Sequence, residues 1–237
     1  MGTRLKAVLP LTVSIGVLAF LASELALNFT FHWVTVQDGV FGKFGLPRGL
    51  HLVLPAIFVA WGLYFLLGAS NAALGKTVIA ALTGSIGAAI AMWLGPALAD
   101  APDFWGLAVA IGLTAMGLVV LSTVVADDRF SPAPAFCCYA SVFLWWIATG
   151  LDNYVPGGKG PGTAAAVTHA ITDKPLAAGT GAFGGLISMS WQWVAVSIFV
   201  SLVVGGLFGA LSVRLAGALG GLMTSRAPEE PKVAVSA

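Results

Sequence analysis

The 237 residues are 58% hydrophobic and only 9% charged, with 30 Gly and a formal net charge of +1, whereas a soluble domain carries about 25% charged residues. That composition excludes an ordinary soluble domain, and the sparse, balanced charge excludes a nucleic-acid surface, which needs a basic face to neutralise phosphates. At about 20 apolar residues per membrane-crossing helix, the chain supplies roughly six spans and little else.

A charge at the bilayer centre costs about 2.5 to 3.5 kcal/mol on the insertion scale, so charge-free windows mark the spans. They cover 7–23, 49–75, 77–99, 104–126, 130–151 and 175–213. The apolar pattern continues beyond Glu24 through Leu25, Leu27, Phe29, Phe31 and Trp33. The first span is therefore expected at about 6–34, with Glu24 inside it. The others are expected at about 49–70, 77–98, 104–126, 131–151 and 191–215. Asp103, and Ser131 ahead of Pro132, read as helix N-caps. Pro47, Pro96, the Asp127-Asp128 pair and the turn-rich stretch 156–162 read as loops. Residues 152–190 form a long Gly-rich extracytoplasmic connection; its Gly179, Gly181 and Gly184 lack the strand and βαβ setting of a dinucleotide loop. Residues 227–237 read as a disordered cytoplasmic tail, which leaves 1–226 as a single transmembrane domain.

The expected fold is all-α, a polytopic membrane protein of six transmembrane helices. With the N-terminus inside, seven basic residues (Arg4, Lys6, Lys76, Arg129, Arg214, Arg226, Lys232) lie inside and four (Lys43, Arg48, Lys159, Lys174) outside, so both termini are expected in the cytoplasm. The basic start lacks a small-residue cleavage site and reads as an uncleaved first helix. Pro55-Ala56 opens an aromatic-rich second span, and Pro134-Ala135 opens an aromatic-rich fifth. Two halves of three spans would face opposite ways, the 3+3 inverted repeat of many transporters; chance similarity between apolar helices is the competing explanation.

The run Trp61-Gly62-Leu63-Tyr64-Phe65-Leu66-Leu67-Gly68 is followed by Gly75-Lys76 and a small-residue helix. With Pro134-Ala135-Phe136-Cys137-Cys138-Tyr139-Ala140-Ser141-Val142-Phe143 and the glycines from Gly205 to Gly209, it resembles the YcdZ-like family of uncharacterised bacterial inner-membrane proteins, a domain of unknown function. The resemblance implies a bacterial inner-membrane location and carries no catalytic residues across. The 152–190 connection is longer than that family usually has.

Glu24, Asn28 and His32 stand at i, i+4 and i+8, on one helix face that Thr35 extends. An intramembrane carboxylate is a functional hypothesis by default, and this face is expected to turn toward the bundle interior as a transport or proton site. The competing reading makes Asn28 and His32 wetted groups where the helix leaves the membrane. Arg48, His51, Asp152 and Asn153 are expected at the outer end, as a vestibule or as interface anchors. Trp33, Trp93, Trp105 and Trp191 fit an interfacial belt. Trp61, Tyr64, Tyr139, Trp145 and Trp146 fall deeper, as pathway aromatics or as packing. Gly68-xxx-Ala72, Gly84-xx-Gly87-xxx-Ala91 and Gly205-xxx-Gly209 are spacings that bring helices close.

Adjacent Cys137 and Cys138 read as inert small hydrophobes rather than metal ligands. The sequence contains no phosphate-binding Gly-x-x-x-x-Gly-Lys-Ser/Thr loop (Gly75-Lys76-Thr77 has Ser70 where the first glycine belongs), no His-Glu-x-x-His and no Gly-x-Ser-x-Gly, so neither an enzyme nor a metal or cofactor is expected. The partners expected are the lipid bilayer, a small solute and further copies of the chain, and no nucleic acid. Two functions remain open: a small-solute transporter or channel, proton-linked through Glu24, and a non-catalytic accessory or scaffold subunit of a membrane complex; a third, an intramembrane enzyme, would need Asp152, His51 and Glu24 within hydrogen-bond reach.

Overall fold

The computed structural model describes residues 2–98, 105–125, 130–149, 187 and 189–225. Of these, 86% are helical and none is in a strand. In chain order the helices are α1 (Gly2–Leu27), continued by a π-helical stretch (Asn28–Val36), then α2 (Gly39–Gly42), α3 (Leu54–Leu66) and α4 (Asn71–Ala97). They continue with α5 (Trp105–Val120), extended by a π turn (Leu121–Val125), α6 (Pro132–Ala148) and α7 (Trp191–Ser225). Four stretches are long and apolar enough to cross a membrane: Ala7–Val36, Asn71–Ala97, Trp105–Val124 and Trp191–Leu222. α3 and α6 are apolar but shorter.

Local chemistry sets several of these limits. Ser131 is the N-cap of α6, with proline in the first helical positions, where a missing N–H costs nothing. Ser70 caps α4: its hydroxyl accepts from the N–H of Ala73 at 3.1 Å, so the helix starts before Lys76 rather than after it. Between α3 and α4 the chain reverses through Gly68 at φ +100° and Ala69 at φ +50°. Gly68 is therefore a turn residue whose missing Cβ permits that φ, not the helix-contact residue its spacing suggested. Pro96 lies in the last turn of α4, not in a loop; its ring keeps a helical φ, and only one hydrogen bond near the helix end is lost. The widening of α1 beyond Leu27 is held by Thr35 Oγ1, which donates to the carbonyl of Thr30 at 2.6 Å, and by the N–H of Asp38, which donates to that of His32 at 2.7 Å. Gln37 ends it in the left-handed region at φ 59°.

α7 packs most extensively against α3, and also against α4 and α1; α4 packs most against α6, and also against α5 and α7. Small residues allow two close backbone approaches between these helices. A Cβ on Gly205 of α7 would fall on the carbonyl oxygen of Ile57 in α3, and one on Gly84 of α4 would fall on that of Ala135 in α6. Lipid tails are as apolar as these side chains, so close van der Waals packing of this kind, rather than hydrophobic exclusion, holds membrane helices together. The main core lies among α3, α4, α6 and α7, with Met92, Val142, Trp146, Ile198 and Leu202 buried in it.

Candidate functional site

Residues 49–53, ahead of α3, are not helical, although Leu52 and Val53 are buried. Such backbone must find hydrogen-bond partners outside a helix. Three hydroxyls supply them. Ser197 Oγ accepts from the N–H of His51 at 3.0 Å and donates to the carbonyl of Gly49 at 3.1 Å. Thr30 Oγ1 accepts from the N–H of Leu52 at 3.1 Å and donates to that residue's carbonyl at 2.8 Å. Ser201 Oγ accepts from the N–H of Val53 at 2.8 Å and donates to the carbonyl of Ser197 at 2.6 Å. Each hydroxyl serves once as donor and once as acceptor, so the strip is tied to α1 on one side and to α7 on the other.

His51 sits in this strip at 2% exposure, and its Nδ1 has no hydrogen-bond partner. Its ring centroid lies 6.5 Å from that of Trp145 in α6. Trp145 in turn lines a cavity of about 300 Å³ between α3 and α6, together with Val53, Val59, Leu144, Ala148 and Ile198. Trp145 is thus shared: it walls the cavity and stands beside the histidine.

The outer face of α1 corrects one expectation. Glu24 and His32 are exposed, and Asn28 is half-buried beside them; the buried side of this helix is Leu18, Ala22, Ala26, Thr30 and Val34. Asn28 Nδ2 donates to the Glu24 side chain and to its carbonyl, both at 2.9 Å, so the i, i+4 spacing does join the two. The face nevertheless points away from the bundle, because the alanines opposite are what fit against α7 and α3. Thr35 is half-buried and bonded back to the carbonyl of Thr30.

Of the outer-end group, Arg48 is exposed and its guanidinium donates to Gln37 Oε1 at 3.4 Å, while His51 is buried in the strip. Asp152 and Asn153 lie outside the described residues, as do Asp103, the 152–186 part of the long connection and the tail beyond 225. His51 is thus buried, whereas Arg48 and Glu24 are exposed and bond to different partners, Gln37 and Asn28.

The deeper aromatics are packed. Trp61 Nε1 donates to Ser212 Oγ at 3.3 Å, the hydroxyls of Tyr139 and Thr114 lie 2.7 Å apart, and Trp145 Nε1 donates to Met189 Sδ at 3.0 Å. Tyr64 is buried with its ring against Gly209. Trp93 and Trp105 are exposed, and Trp33 and Trp191 half-buried. Cys138 is buried and Cys137 exposed. No group of three or more potential metal ligands occurs among the described residues. Sequence reasoning missed the hydroxyl clamp, yet a trace of it is there: Ser197 and Ser201 stand at i, i+4 on an apolar helix, a polar stripe with no reason to face lipid.

Compared with known proteins, residues 12–217 match the model of a family described as a protein of unknown function, DUF1097. No curated protein and no solved structure matches the chain.

Proposed function

The chain belongs to the DUF1097 family, whose description leaves the activity open, and we propose that it is a six-span carrier or channel for a small solute. Its location in this proposal is the bacterial inner membrane, with both termini cytoplasmic and the YcdZ-like proteins as its kin. The spans are α1, α3, α4, α5, α6 and α7, arranged as two inverted halves of three.

One observation carries the proposal. Exchanging the first three spans for the last three turns α3 against α7 into α6 against α4, and α1 against α7 into α5 against α4. Each pair so related is among the extensive packings of the molecule, and α4 against α7 maps onto itself. Two glycine contacts obey the same exchange: Gly205 meets the first turn of α3, and Gly84 the first turn of α6. Inverted repeats with broken helices at the repeat interface are the plan of many secondary transporters. The strip 49–53 is a non-helical break of that kind, buried in protein as membrane-depth backbone must be.

A second reading, an accessory subunit within a larger complex, is favoured by Glu24. Its carboxylate stands on the outer face of α1, where lipid offers it nothing and a neighbouring subunit, a second copy included, would satisfy it. The same carboxylate is the group through which a proton link would run if water reaches it.

Flux into proteoliposomes, followed with an internal pH dye across weak acids, amines and neutral solutes, tests these readings together. Solute-dependent flux supports the carrier or channel, and loss of only the pH change in Glu24→Gln supports the proton link. Absence of flux for every solute, with folded protein, leaves the accessory subunit.

A further inference from the structure

Among the described residues two buried side-chain polar atoms have no hydrogen-bond partner, His51 Nδ1 and Ser85 Oγ. A buried polar group left unpaired costs about 1 to 3 kcal/mol, and native proteins keep few of them. Ser85 lies on α4, where a serine hydroxyl can turn toward its own helix carbonyls. The Arg48 carbonyl stands against the His51 ring, but one carbonyl can take only one of the two ring nitrogens, and the hydroxyls of Thr30, Ser197 and Ser201 have each given their single proton to a backbone carbonyl. The clamp cannot reach around to satisfy the ring.

We propose that His51 Nδ1 is a solute contact, and that the solute it takes is small, uncharged and hydroxyl-bearing. The inference rests on the transport reading and assigns that reading a residue and a solute class. In a neutral imidazole one nitrogen donates and the other accepts; a hydroxyl does both, so it satisfies Nδ1 in either tautomer. The lining of the neighbouring cavity carries no charged side chain to receive a charged solute. The cavity between α3 and α6, of about 300 Å³, suits a molecule of a few heavy atoms; His51 does not line it, and a solute entering there reaches the imidazole only if Trp145 moves aside. Trp145 is the partition, because its side chain both lines that cavity and faces the imidazole.

Glycerol is the probe. Protein labelled with 15N-histidine in lipid nanodiscs is compared with and without glycerol, and with raffinose, which carries hydroxyls but exceeds the cavity. His51 signals are assigned by their loss in His51→Phe, or in His51→Asn should the phenylalanine variant not fold. The expected result is a shift of several ppm in one His51 ring nitrogen with glycerol and none with raffinose. Signals unmoved by glycerol, or moved equally by raffinose, overturn the proposal and identify a fixed water or an idle histidine. Glycerol permeation into proteoliposomes separates the two readings. A His51 shift without permeation keeps the contact and sinks transport of this solute, whereas permeation that His51→Phe leaves unchanged sinks the contact and keeps transport.

Discussion

Thr30, Ser197 and Ser201 replace, with three side chains, the ladder that a helix would have given residues 49–53. Each is a single-atom dependency. Ser201→Ala strands the N–H of Val53 in a dry interior, and the expected loss is about 1 to 3 kcal/mol, measured as a lowered thermal midpoint in detergent. Thr12→Ala is the comparison, since Thr12 Oγ1 bonds only the carbonyl of Val8 on an exposed stretch of its own helix; its midpoint is expected to stay within the small range of surface changes. Equal losses for both would deny the strip its dependence on the clamp. Glu24 makes the opposite prediction. Being exposed and bonded only to Asn28, it contributes little to the fold of one chain, so Glu24→Leu is expected to leave the midpoint unchanged. If the outer face of α1 joins copies, the same variant shifts the native mass distribution toward the monomer; an unchanged oligomer distribution removes that role from Glu24.

Helix contacts repeat the lesson at larger scale, because glycines that look alike in sequence divide by what lies opposite. Gly84 and Gly205 each face a backbone carbonyl of the neighbouring helix, whereas Gly112 faces open space. Ala at an open helical site gains about 1 kcal/mol over Gly; at the two closed sites the methyl must push two backbones apart, at a cost of about 1 to 3 kcal/mol. Gly84→Ala and Gly205→Ala are therefore expected to lower the thermal midpoint by similar amounts, and Gly112→Ala to hold or raise it. A large effect at one closed site with none at the other would break the correspondence between the halves.

For the whole molecule, the question is whether α3 crosses. Its 13 helical residues span about 20 Å at 1.5 Å each, too short for a hydrocarbon core of about 30 Å. Residues 50–53 beyond the turn at Gly49 add at most about 13 Å in extended form, so helix and strip together can reach about 33 Å. With Cys137 and Cys138 replaced by alanine, Lys43→Cys is expected to react with an impermeant maleimide in intact spheroplasts, and Asn71→Cys only after permeabilisation. Labelling of both from one side would mean that α3 turns back, and would end the six-span, inverted-repeat proposal.

The helical, membrane-type character of this chain is legible in its sequence, because it depends on composition and on the spacing of charges, and both are properties of the string. Ser131-Pro132 as a helix start is legible for the same reason: the preference of proline for the first helical position is local chemistry. Glu24-Asn28 as a bonded pair follows from the helix period alone. The direction of that pair does not: its polarity argues for an inward face, but which side of a membrane-type helix turns inward depends on which side fits its neighbours, and here the side bearing Ala22 and Ala26 fits. The strip 49–53 was hidden for a related reason. Its sequence is as apolar as a helix, and only the hydroxyls of Thr30, Ser197 and Ser201, some 20 and 150 residues away in the chain, make a non-helical backbone affordable there. Local chemistry thus determined what the elements are; long-range packing decided which faces meet and where the helix is broken, because those choices are made between residues that the sequence keeps apart.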